Sequence, residues 1–164
     1  MTAIKPGFRF LRSIFPLLLW MILMFYASTD FGSSAHTRPI IDRVVYALAG
    51  NASPLVRERI NYDLRKCAHV TEYAILALLV SRAFAQGSRG FRHRFVVLPL
   101  LFGIAFAASD EFHQSFVPSR TGVAADIVFD SFGVVIGVLL SLWRRCADIG
   151  TECEKSRSEN GPMR

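Results

Sequence analysis

Apolar residues fall into four long runs, at 13–29, 67–81, 95–109 and 127–143, and most of the charge lies in the segments between them. Runs of this length and purity are the pattern of membrane-spanning helices. The first and last have about 17 residues and the middle two about 15, against the ~20 needed to cross a ~30 Å hydrocarbon core. Polar flanks must therefore enter the membrane with the middle pair. With those flanks the spans are placed at about 13–29, 67–84, 95–113 and 124–143.

Between the first two runs, Ile40, Ile41, Val44, Val45 and Leu48 recur at helical spacing among Arg38, Asp42 and Arg43, which predicts a short amphipathic helix lying on the membrane. Gly50 and Asn51 end it. Ser53 as N-cap and Pro54 at the first helical position then start a helix that runs on into the second span. Beyond Arg145 the chain is rich in Glu, Lys, Arg and Ser and contains Asn160-Gly161-Pro162, so 146–164 is expected to be a disordered tail behind a single membrane domain of 1–145.

The chain is 52% hydrophobic with a net charge of +6. The basic residues flank the spans, where they orient a membrane protein, so nucleic acid is not an expected partner. Lys5, Arg9 and Arg12 precede the first span, Arg82, Arg89, Arg92 and Arg94 fill the connection 82–94, and Arg144 and Arg145 follow the last span. The positive-inside rule then places both termini and that connection in the cytoplasm. The segment 30–66 is the outlier, with six basic residues and four acids in a loop assigned to the outside. The first span also has the layout of a signal peptide, but its unbroken length suits a retained anchor better. Cys67, Cys146 and Cys153 suggest no disulfide, because the topology puts Cys67 on the opposite side from the other two.

The fold expected is all-α: an integral membrane four-helix bundle with the amphipathic helix in its first outer loop. On the second spanning helix Arg65, Lys66, His69, Glu72 and Tyr73 project within an arc of about 120°. The third ends in Asp110, Glu111, His113 and Gln114, with Gly103, Ala107, Asp110 and Gln114 forming a stripe. On the fourth, Asp126, Asp130, Gly133 and Gly137 share a face, and the two glycines make a small-xxx-small pattern for close helix packing. The acids are therefore expected to point into the bundle. Lipid-facing charges would each cost about 2.5–3.5 kcal/mol even on the lenient insertion scale.

All these residues belong to one end of their helices, so a single outward-facing polar cavity is the simplest arrangement. His69 or His113 could act there as general base, with Glu72, Asp110, Glu111, Asp126 and Asp130 as acids and orienting groups and Arg120 as an anion clamp. Lys66 and Gln114 would join Arg120 in binding a substrate anion. No metal or other cofactor is assigned; if a divalent ion were held, His69, His113 and Asp126 would be its ligands. Two other readings remain open beside the enzyme: a non-catalytic binder or channel-like module, and charges that act only as helix glue.

The order Lys66-x2-His69-x2-Glu72-Tyr73, Asp110-Glu111-x-His113-Gln114-x-Phe116-x-Pro118-x-Arg120, Asp126-x3-Asp130-x2-Gly133-x3-Gly137 resembles the VanZ-like family over about 62–140. The resemblance implies a small multi-pass protein of the bacterial cytoplasmic membrane, in a family named for a member associated with low-level teicoplanin resistance. Its partners would be membrane lipid and a lipid-linked or other envelope substrate. Ser119 stands where glycine is expected before the arginine. Teicoplanin resistance itself does not carry over, since a family does not fix a cellular role.

Overall fold

The computed structural model describes residues 6–30, 34–50, 53–85, 93–118 and 124–159. They form five helices: α1 (Pro6–Ser28), α2 (Ser34–Ala49), α3 (Pro54–Phe84), α4 (Arg94–Gln114) and α5 (Ala124–Glu159). Four of them, all but α2, are long and apolar enough to cross a membrane. The expected all-α bundle of four spans is therefore what the chain forms.

Local chemistry sets the boundaries. The Ser53 hydroxyl accepts from the Val56 N–H at 3.5 Å, and Pro54 supplies a fixed φ at the first position of α3. Gly50 sits at φ +57 with its N–H on the Tyr46 carbonyl at 2.9 Å, the left-handed stop that glycine adopts without steric cost. It separates α2 from α3 where the sequence places the break.

The middle spans are short only as apolar runs. The 21 residues of α4 rise about 31 Å, matching the hydrocarbon core, because the helix continues through Asp110, Glu111 and Gln114. With 31 residues, α3 is longer than a bilayer core and carries its charged N-terminal half as part of the same helix.

One boundary differs from the sequence reading. The segment 146–164 was expected to be a disordered tail, yet α5 runs on to Glu159. Only Gly150 interrupts an otherwise helix-compatible sequence between Trp143 and Glu159, and one internal glycine costs about 1 kcal/mol against alanine. Side-chain hydroxyls follow the helix there, with Thr151 donating to the Asp148 carbonyl at 2.9 Å and Ser158 to that of Lys155 at 2.8 Å. Residues 160–164 lie outside the described residues.

The α3 helix is central and touches every other helix, packing most extensively on α5. These two run parallel, their backbones meeting with Val70 beside Gly133 and Ala74 beside Gly137, while the long Lys66 side chain reaches Asp126. A methyl group on Gly133 would strike the Val70 carbonyl oxygen, and one on Gly137 that of Ala74, so both glycines permit the backbones to meet. On the other side of α5, Gly103 of α4 seats Val134. The core comprises Met24, Tyr73, Leu76, Ala77, Val80, Ala107, Val134 and Val138. Large apolar side chains such as Leu101, Phe132 and Leu139 point outward, the arrangement lipid requires.

Candidate functional site at one end of the bundle

The parallel register of α3 and α5 sets charged residues opposite one another. Lys66 reaches across to Asp126, with Nζ 2.5 Å from Oδ1, and its ammonium also lies 5.3 Å from the centre of the Phe129 ring. One turn further along, His69 Nδ1 faces Asp130 Oδ1 at 3.7 Å. Asp130 is 1% exposed, and its other oxygen, Oδ2, has no hydrogen-bond partner among the described residues.

The third helix closes the cluster. Tyr73 donates its hydroxyl to Asp110 Oδ2 at 3.4 Å, and Gln114 donates its amide to the same oxygen at 2.8 Å. Glu111 is buried on the stripe of α4 that also holds Phe95, Pro99, Gly103 and Ala107. Asp130 lies within electrostatic reach of Glu111, Asp110, Asp126 and Lys66. Carboxylates drawn this close together in a poorly solvated place repel one another, and bundle stability alone would not favour such crowding.

Beside this cluster is a cavity of about 400 Å³ bounded by α1, α2, α3 and Asp110 of α4. Met24 and Ala27 of α1 and Ile40, Ile41 and Val44 of α2 make one wall apolar. Arg65, His69 and Glu72 of α3 and Asp110 of α4 bring polar groups to the other side, where Leu64 and Ala68 also line it. Trp20 donates its indole N–H to the Glu72 carbonyl oxygen at 3.1 Å, which ties α1 to α3 next to the cavity. The amphipathic helix expected in the first loop thus forms part of a site, and Asp42 accepts from Asn61 at 2.8 Å to hold it against α3.

The sequence-derived candidates separate into groups. His69, Glu72 and Asp110 line the cavity, and Asp130 stands behind His69. Lys66 is engaged by Asp126, and Gln114 by Asp110, so neither presents a free group for a substrate anion. His113 does not line the cavity; its ring lies 4.7 Å from that of Phe25 on α1, with Nδ1 buried and lacking a partner among the described residues. Arg120 lies outside the described residues. Among the described residues no three His, Cys, Asp or Glu side chains gather closely enough to hold a metal ion, the set His69, His113 and Asp126 included.

Two contributions escaped the sequence reading. Arg65 lies one turn before His69 on the same arc and lines the cavity, which its place among the α3 charges does not by itself reveal. The wall from α1 and α2 carried no chemical signal at all, because apolar residues in a span or an amphipathic helix look the same whether they face lipid or a cavity.

Chemically, the arrangement offers an imidazole backed by a buried carboxylate and open to a cavity, the pairing that orients a general base. It also offers a guanidinium and two further carboxylates on the same wall. A family model described as VanZ/LLP1 matches residues 13–145, extending the likeness beyond 62–140 to include α1 from residue 13, all of α2 and every residue that lines the cavity. No curated protein and no solved structure matches the chain.

Proposed function

Since this chain belongs to the VanZ/LLP1 family, we propose that it is a multi-pass protein of the bacterial cytoplasmic membrane that engages a lipid-linked envelope substrate at the polar end of its bundle. The end bearing Asp110, Asp126 and Asp130 faces outward, and the charge distribution of the connections supports that orientation with both termini in the cytoplasm. The observation that carries the reading is the cavity: one wall apolar, the other lined by His69, Glu72 and Asp110, with Asp130 behind the histidine. His69 is the general base of this proposal and Asp130 its positioning residue. Glycopeptide resistance is connected only through the family and forms no part of the assignment.

A second reading, a non-catalytic binder stabilised by the same charges, is supported by how many of them satisfy one another: Lys66 with Asp126, and Asp110 with both Tyr73 and Gln114. Complementation of a deletion strain separates catalysis or binding from mere glue. The proposal expects His69→Ala, Glu72→Ala and Asp110→Ala to accumulate in the membrane at wild-type level and fail to complement. Variants that are degraded, or that accumulate and complement fully, would refute it.

A further inference from the structure

The cavity has the two-sided character of the molecule that would fill it. Ile40 and Val44 of α2 are 65% and 46% exposed although they lie on its wall, so apolar surface is open for contact rather than packed on protein. Opposite them stands Arg65, whose guanidinium has no ion pair among the described residues and which faces the cavity beside Glu72, His69 and Asp110. A guanidinium in such a place is suited to clamp a phosphate or carboxylate bidentately.

Arg65 does not stand alone, however, and its neighbours restrict the ligand. Glu72 and Asp110 outnumber it, so a bare anion would meet repulsion as well as attraction. Arg65 and Glu72 lie seven residues apart on α3, about 10 Å along the axis. A headgroup with an anion at one point and hydroxyl or amine donors further on would satisfy both ends of the wall. The volume of about 400 Å³ falls in the range of small-molecule sites and leaves room for a headgroup with the start of one chain.

The geometry points to an amphiphile whose headgroup carries amine or hydroxyl donors beyond its anion, with the anion on Arg65, those donors on Glu72 and Asp110, and the chain against Ile40, Val44 and Met24. This inference rests on the proposed function and names the ligand class of that same site. The α2 helix is then the apolar wall of a binding site, and the ligand enters sideways from the lipid beneath it.

The test is equilibrium binding of fluorescent single-chain lipids to the purified full-length protein in nanodiscs: lysophosphatidylethanolamine, lysophosphatidic acid and monoacylglycerol with the same chain, and unlabelled inorganic phosphate as competitor. Lysophosphatidylethanolamine is expected to bind tightest and monoacylglycerol weakest. Arg65→Gln should weaken lysophosphatidylethanolamine roughly tenfold or more, the scale of lost hydrogen bonds to a charged group, while Arg65→Lys restores part of it. Glu72→Gln should erase the preference over lysophosphatidic acid, and Val44→Trp should weaken every chained probe by filling the apolar half.

Monoacylglycerol binding as tightly as the phospholipid, insensitivity to Arg65→Gln in protein that remains monodisperse, or full competition by inorganic phosphate would each overturn the assignment. If no probe binds while His69→Ala still accumulates and fails to complement, the ligand class falls and the proposed site stands. If the probes bind as expected while the His69 and Glu72 variants complement fully, the ligand class stands and the proposed function falls.

Discussion

Asp130 shows most sharply what a single residue contributes here. A carboxylate enclosed to 1% exposure loses several kcal/mol of hydration unless its neighbours replace the water, and in this position it has His69 on one oxygen and no partner among the described residues on the other. Lys66 and Asp126, one turn away, are different in kind: they answer one another directly across the α3–α5 contact. Lys66→Ala strands a partly buried carboxylate and is expected to cost about 1–3 kcal/mol. For a chain of this size that lowers the unfolding midpoint by about 2–4 °C per kcal/mol. Asp126→Ala should cost a similar amount, and Lys66→Ala/Asp126→Ala should recover most of the loss, as heat-unfolding curves of the four purified proteins would show. A double variant as unstable as the sum of the singles would mean that the two residues do not act as a pair.

Among the elements, the contact between α3 and α5 decides how the site is assembled. Gly133 and Gly137 let the two backbones meet, and that fixed register is what puts Asp126 and Asp130 opposite Lys66 and His69. One substitution at two glycines of α5 separates packing from helix propensity. Gly150→Ala meets no atom within 4 Å and should gain about 1 kcal/mol from propensity alone. Gly137→Ala carries the same gain but collides with the Ala74 carbonyl and the Ala77 side chain, so overpacking of about 1–3 kcal/mol should turn the sign negative. Heat-unfolding midpoints of the two variants should therefore move in opposite directions. The spans, the amphipathic α2 and the glycine face were all legible in the sequence, because hydrophobic run length, helical periodicity and small-residue spacing are local. The pairings were not: nothing local joins residues about 60 apart, and the choice between His69 on the cavity and His113 on Phe25 follows from how α1 packs. The continuation of α5 past Arg145 is not legible in the sequence, because a charged composition resembles a disordered tail as much as an exposed helix.

For the molecule as a whole, α3 is the axis around which the other four helices are arranged, and the bundle is divided along its length. One part is a dry core of Leu76, Ala77, Val80 and Val138 with apolar side chains turned to lipid. The other gathers Asp110, Glu111, Asp126 and Asp130 beside a cavity that α2 helps to wall. Groups kept for binding or chemistry are commonly held at some cost to stability, whereas groups kept as glue stabilise the fold. The most direct discriminator is the heat-unfolding midpoint of the purified Glu72→Gln variant in the absence of added ligand, a substitution that leaves His69 facing Asp130. A functional site predicts a midpoint at or above that of the wild-type protein, since the substitution leaves an amide in place of a carboxylate that serves the cavity. A midpoint lowered as far as that of Lys66→Ala would contradict it and assign the polar cluster to holding the helices together.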